Sequence, residues 1–253
     1  MTAASPVPHR PEIAPDILDH DLVADLTATA LAMARRFVAG ATMWCVAPGR
    51  EPRARHLAAK FMHQIIVGER ALPAFTLTGP DLLRQARAAV RSGDLLVAVA
   101  AAGHAEVADL MRRAPAWGAR TIWIGSGQRP PGGAADHVLW IDDPDSLTPG
   151  CGRFEVLCHR LWELTRACSE HPSLTTAMPD RCAAEVCVTC SDEGRLGEVI
   201  EPLGSLIDPA GLDNMALVRT ADGEEAVDVT LVAPVVLGDL VLVHAGTALA
   251  RWS

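Results

Sequence analysis

The sequence predicts a doubly wound α/β domain built on a parallel sheet, followed by a small closed or partly closed all-β barrel. Three observations carry that expectation. From residue 16 to 170, short unbroken apolar runs alternate with amphipathic stretches, the pattern of strands buried on both faces between helices. From residue 186 to 253 helical spacing stops, and short β-type segments separated by turn residues replace it. Between the two, 171–185 is mixed in character and contains Pro172 and Pro179, as a linker would. Residues 1–15 have no apolar core and read as a disordered lead-in.

The elements follow in order. Ile17 to Val38 has apolar residues at helical spacing and stops at Gly40. The run 41–47 (ATMWCVA) is strand-like and ends at Pro48-Gly49. A helical pattern over 53–67 precedes a strand over 72–78, and a helix is expected from Asp81 to Arg91. After Gly93 the run 94–102 (DLLVAVAAA) is continuously apolar, as a central parallel strand requires. A helix from Ala105 to Ala116, strands over 119–125 and 136–142, and a helix from about Arg153 to Cys168 complete the first domain. In the second, four β-type segments are expected at 196–201, 214–220, 224–232 and 239–245, with Asp222-Gly223 as a hairpin turn.

Composition excludes several classes. Of 253 residues, 49% are hydrophobic and 21% charged, ordinary for a soluble globular protein. A net charge of −9 without a block of Lys/Arg argues against a nucleic-acid surface. No apolar run reaches the roughly 18 residues that cross a bilayer, so no membrane partner is expected. With no signal peptide a cytoplasmic location is expected, and the seven cysteines should be reduced thiols.

The stretch VCVTC places Cys187 and Cys190 three residues apart, and Gly238-Asp239-Leu240-Val241-Leu242-Val243-His244-Ala245-Gly246 follows later. Together these segments, within 186–252, resemble the HypC/HupF family of nickel–iron (NiFe) hydrogenase maturation chaperones. That resemblance implies an OB-like barrel. It implies that Cys187 and His244 bind iron, as a transient Fe(CN)2CO complex, with Cys190 as an auxiliary thiol. It also implies two partners: a HypD-like iron-scaffold protein and the hydrogenase large-subunit precursor. A soft thiolate beside an imidazole suits low-spin iron, and two ligands leave room for release. Zinc is the alternative metal, although a structural zinc site needs four ligands. The pair also fits a regulatory disulfide, or two incidental thiols packed as small hydrophobes. This chain departs from the family where Val186 precedes the cysteine within a fused chain and where Ser191-Asp192-Glu193-Gly194 replaces a Pro-Gly.

Residues from about 20 to 170 resemble the SIS (sugar isomerase) domain family, notably its phosphoheptose-isomerase branch. The resemblance rests on Gly40-Ala41-Thr42-Met43-Trp44-Cys45-Val46, on Ala54-Arg55-His56-Leu57-Ala58-Ala59, on Gly93-Asp94-Leu95-Leu96-Val97-Ala98-Val99 and on Trp117-Gly118-Ala119-Arg120-Thr121-Ile122. It implies ligand binding near Gly49, His56, Gly103, His104, Glu155 and Glu163, and a homodimer through the SIS-like domain. The branch's Gly-Asn-Gly-Gly-Ser loop is Ala47-Pro48-Gly49-Arg50-Glu51 here, and its Ser/Thr-rich phosphate loop is Ala100-Ala101-Ala102-Gly103-His104. Lys60 stands where the branch has its catalytic glutamate, and Glu163 where it has a late histidine.

The expectation is therefore a hydrogenase maturation factor: a SIS-like domain fused to a HypC-like barrel, a chaperone and carrier and not an enzyme. The alternative is a phosphosugar isomerase, or a phosphosugar-binding regulator, acting through the first domain.

Overall fold

The computed structural model describes residues 20–63, 71–141, 152–176, 194–203 and 214–252. Strands β1 (Met43–Val46), β2 (Ala74–Thr76), β3 (Leu95–Val99), β4 (Arg120–Ser126) and β5 (His137–Ile141) lie parallel in the order β2-β1-β3-β4-β5. Side chains alternate across this sheet, and both faces are buried. Leu95, Val97 and Val99 of β3 join the core under helices α1 (His20–Val38), α2 (Glu51–Met62) and α5 (Arg153–Ser169). Leu96 and Ala98 point the other way, under α3 (Leu82–Ala89) and α4 (Ala105–Arg113). The doubly wound class is as the periodicity predicts.

Asp94 ties the start of the sheet together. Its buried carboxylate accepts from the Thr42 amide at 2.9 Å, Trp44 Nε1 at 3.0 Å and the Arg91 amide at 2.9 Å. Gly125 serves a different purpose. A Cβ there would lie 2.2 Å from the Trp140 ring, so only glycine lets that indole cross β4.

Several boundaries differ from those the sequence predicts. The second helix ends at Met62 and not near residue 67, because His63 turns to extended backbone and the Leu72 amide returns to the Phe61 carbonyl at 3.3 Å. The helix expected to reach Ala116 tightens into a 3-10 turn, Ala114–Trp117, at Pro115, which has no amide to continue it. Part of the expected linker is folded. Pro172–Thr175 forms the short helix α6, held to α1 by Arg35 Nε donating to the Leu174 carbonyl at 3.0 Å.

The second unit is a closed five-stranded barrel of β6 (Arg195–Pro202), β7 (Met215–Thr220), β8 (Gly223–Asp228), β9 (Leu240–His244) and β10 (Thr247–Arg251). Its order is β10-β8-β7-β6-β9, with β8 and β10 parallel and the other pairs antiparallel. Counted from β6, the circuit is first-second-third-fifth-fourth, which is the OB arrangement. The interior is filled by Val199, Val218, Val227, Val241 and Val243. Thr220 pairs with Gly223 across the hairpin expected at Asp222-Gly223. The fourth expected segment is β9; β10 is a fifth strand that the sequence reading missed. The strand expected over 224–232 ends at Asp228, whose carboxylate accepts from the Thr230 amide at 2.8 Å and so turns the chain.

The barrel is bound to the α/β unit through one buried charge. Glu198 of β6 is 0% exposed. Its carboxylate accepts from Arg87 Nε at 2.9 Å and Nη2 at 2.5 Å, from Arg113 Nη1 at 3.0 Å and from Trp117 Nε1 at 2.7 Å. The hydrogen bond to Glu198 raises the Arg87 guanidinium above its ordinary range, against the opposing effect of burial. Arg113 also donates to the Gly238 carbonyl. In the reverse direction Arg219 of β7 donates to the Arg87 and Val90 carbonyls at 2.7 Å each, capping the end of α3, and lies 5.6 Å over the Trp117 ring. Leu240 and Leu196 of the barrel complete the core beneath α3 and α4.

Removing Glu198 leaves the Arg87 guanidinium and the buried Trp117 N–H without their acceptor, and takes one of several from Arg113. Glu198→Ala is expected to cost about 3–5 kcal/mol and to lower Tm by roughly 10 °C. Differential scanning calorimetry measures this, and a shift below about 2 °C would show that the cluster contributes little.

Candidate functional site

The connection order makes one crevice in the sheet. From β1 the chain moves outward to β2, then returns across β1 to β3, so the order reverses between β1 and β3. Open α/β sheets bind ligands outside the carboxyl ends of strands at such a point. Two turns form its walls. After β1, the Arg50 amide closes on the Ala47 carbonyl at 2.9 Å, with Gly49 at φ +67°. After β3, the His104 amide closes on the Ala101 carbonyl at 3.1 Å. Gly49, Gly103 and His104 are thereby brought to adjacent strand ends. Neither turn carries a hydroxyl, since 47–50 is Ala-Pro-Gly-Arg and 100–104 is Ala-Ala-Ala-Gly-His. His104 is the N-cap of α4 but makes no side-chain cap bond, and its Nδ1 is buried without a partner.

Helices α2 and α5 add charge near the same edge. Arg53, in the first turn of α2, is nearly buried and donates to Glu155 Oε1 in the first turn of α5. Its guanidinium lies 4.5 Å from the centre of the Phe154 ring, and the His56 ring is 6.4 Å from that ring. The second carboxylate oxygen, Glu155 Oε2, is buried with no partner. A buried acceptor left in this state costs about 1–3 kcal/mol unless something donates to it.

A second cluster lies farther along the helices. Lys60 Nζ is 3.3 Å from His159 Nδ1, and His159 Nε2 is 3.1 Å from Glu163 Oε1, while Arg160 Nη1 donates to Glu163 Oε2 at 2.8 Å. Glu163 is eight residues beyond Glu155, so about 12 Å away along the axis. His56, Glu155 and Glu163 therefore divide between two clusters instead of forming one ligand set. Among the described residues no group of three His, Cys, Asp or Glu could hold a metal ion. His159 was not singled out in the sequence; its one signal was an i,i+4 relation to Glu163. Arg53 was also missed, because an arginine in a helix's first turn reads as surface.

In the barrel, His244 ends β9 opposite Thr247 and lies on the outward face with Leu242, while Val241 and Val243 point into the core. The alternation predicted this orientation. Cys187, Cys190 and Cys182 lie outside the described residues. Elsewhere Cys45 and Cys158 are fully buried, and burial pushes both thiols far above their ordinary range.

No protein-family model matches the chain, and no curated protein matches it. Solved structures do. A phosphoheptose isomerase from Francisella tularensis is similar with a TM-score of 0.50 and 16% identity, over 60% of this chain and 88% of that one. A phosphoheptose isomerase from Neisseria gonorrhoeae gives a TM-score of 0.46 and 18% identity, over 59% and 88%. The NanR protein of Vibrio vulnificus, complexed with ManNAc-6P, gives a TM-score of 0.41 and 19% identity, over 60% and 61%. The N-terminal unit thus has a SIS-like, phosphosugar-isomerase fold. This corrects the expectation that the chain is no enzyme. The fold of its larger unit is one that the Francisella tularensis isomerase, an enzyme, also carries. Among the described residues no helix is long and apolar enough to cross a membrane.

The thiol environment generates a measurable outcome. In the native protein Cys45 and Cys158 are expected to resist iodoacetamide at pH 8 and to react only after denaturation, because the thiolate is the nucleophile. Peptide mapping by mass spectrometry reads this directly, and rapid native labelling of either cysteine would contradict its burial.

Proposed function

We propose that the chain is a phosphosugar-handling protein of the sugar isomerase type, with its site in the crevice between β1 and β3. The observation that carries this reading is the pair of buried, unpartnered polar atoms at the crevice edge, Glu155 Oε2 and His104 Nδ1. A sugar supplies hydroxyl donors for both. The phosphate would sit at the N-terminus of α4, where the first-turn amides are free of any side-chain cap and the helix dipole favours an anion. The missing hydroxyls leave backbone amides as the main phosphate donors, so a modest affinity is expected. The likeness of fold to a phosphoheptose isomerase supports the same substrate class.

Aldose–ketose isomerisation moves a proton from one carbon to its neighbour through an enediol, and needs a base between them. Glu155 has the chemistry for this step. One oxygen is held by Arg53, which orients the carboxylate, and the other has no protein partner. Oε2 takes the proton from the carbon bearing the hydroxyl and returns it to the former carbonyl carbon, while water protonates the carbonyl oxygen as the enediol forms and accepts the hydroxyl proton as it collapses. Isothermal titration with aldose 5- to 7-phosphates, and proton NMR in deuterated water, test binding and turnover separately. Saturable binding is expected. Glu155→Gln is expected to lower turnover about 10²–10⁴-fold while binding persists. Absence of binding at millimolar phosphosugar would refute the reading.

A second reading concerns the barrel. Its OB strand order and the outward His244 are what a HypC-like carrier would need, so we propose hydrogenase maturation as its alternative role. Iron as an Fe(CN)2CO cargo would then bind at Cys187 and His244, with zinc as the alternative metal. A HypD-like scaffold and the hydrogenase large-subunit precursor would be the partners. Cys187→Ala is expected to abolish maturation in a hydrogenase activity assay while the barrel stays folded; full maturation by that variant would remove this reading.

A further inference from the structure

Where the barrel meets the α/β unit, the two do not close completely. A cavity of about 780 Å³ remains between α4 and the 128–136 loop on one side and β6, β9 and the chain end on the other. Its walls are largely apolar, with Met111, Trp123, Leu196, Leu242 and Trp252 among them. It meets the turn that walls the crevice between β1 and β3 at Ala102, and its other lining residues lie away from that turn. A smaller cavity of about 240 Å³ adjoins it and shares Arg112 and Trp252; there Arg251 pairs with Asp239 at 3.7 Å, and Arg113 is held by Glu198.

The polar groups of the large cavity are unequal. Asp136 and Thr121 satisfy each other: Asp136 Oδ2 accepts from the Thr121 amide and hydroxyl at 2.8 Å each, and Thr121 Oγ1 accepts from the Asp136 amide. Trp123 Nε1 is committed to the Ala100 carbonyl at 3.1 Å. Arg112 differs. One of its nitrogens donates to Asp109 at 2.6 Å, its side chain is 43% exposed, and its remaining donors stay open at the rim. Beside it Trp252 is 55% exposed, a large apolar surface at the junction of the two cavities.

We propose that this interdomain cavity binds a small amphipathic organic anion, with an aromatic or aliphatic body against Leu196, Leu242 and Trp252 and a carboxylate or sulfonate-like head on Arg112. The volume is that of a small-molecule site, such sites favour domain interfaces, and an apolar wall with one cationic anchor, Asp136 being paired with Arg120, sets both body and head. Arginine suits the head, since its planar fork meets an oxyanion with two donors. A neutral ligand would use the wall but not the anchor, and a polyanion would leave the wall bare. The inference does not depend on phosphosugar binding in the other crevice.

Anilinonaphthalene sulfonate is the probe, titrated by fluorescence against the folded full-length chain, with neutral phenylnaphthylamine as its uncharged counterpart. One saturable site is expected. Arg112→Gln should weaken the sulfonate about tenfold and leave the neutral probe unchanged. Gly132 lines the cavity, and a Cβ there would meet no atom within 4 Å, so Gly132→Phe adds a ring at the cavity wall with no clash at its Cβ. That variant should abolish binding of both probes at an unchanged Tm. Aliphatic and aryl carboxylates should displace the sulfonate. Sulfonate binding that survives both substitutions, or the absence of a saturable site, overturns the proposal. So does displacement only by an acidic aromatic peptide, which would make the cavity a protein-docking groove.

Discussion

A single carboxylate holds the two units of this protein in one arrangement. Glu198 on the outer face of the barrel receives four hydrogen bonds from α3, α4 and the 3-10 turn, and each donor comes from the α/β unit. A lone buried charge costs several kcal/mol, so the barrel's β6 face is stable only against these arginines and this indole. The reverse holds too. Arg219 supplies the cap that the carboxyl end of α3 lacks, and Leu240 with Leu196 covers the apolar residues beneath α3 and α4. Each unit thus completes the other. The second face of the parallel sheet is covered by two short helices and a barrel, where a third long helix would otherwise be needed.

The parallel sheet was legible because a strand buried on both faces has an unmistakable composition. DLLVAVAAA admits no amphipathic helix, and Gly93 and Gly103 bracket it. Helix ends were legible only roughly, because an end is decided by a backbone hydrogen bond, as at His63, and not by periodicity. β10 was missed for a clearer reason. Thr247-Ala-Leu-Ala-Arg is rich in good helix formers, yet pairing with β9 on one side and β8 on the other overrides local propensity. The interface was not legible at all. Glu198 sits at an outward position in an alternating strand, where a carboxylate is unremarkable until a second unit is known to cover it.

The candidate site shows the same division. Gly49, Gly103 and His104 could be found because the turns after β1 and β3 announce themselves in sequence. The arginine that orients Glu155 could not. Arg53 and Glu155 are 102 residues apart, and their contact exists only because α2 and α5 pack on the same sheet face. Lys60 and His159 meet for the same reason, 99 residues apart. Charged pairs of this kind carry no periodicity.

Helix α4 joins the two units. Its nine residues follow the N-cap His104, on the edge of the crevice, and end at Arg113, which grips both Glu198 and the Gly238 carbonyl. The span is about 13 Å, a rigid rod at this length. Any ligand that draws on the first-turn amides pulls on the same element that positions the barrel, and β9 with His244 follows directly from Gly238 and Asp239. Displacing α4 along its axis by even half a turn would separate Arg113 from Glu198, leaving a buried charge short of a donor. The barrel therefore opposes movement of the helix end that faces the crevice. The same helix therefore carries the N-terminus at the sheet edge and, at its other end, the arginine that holds the barrel.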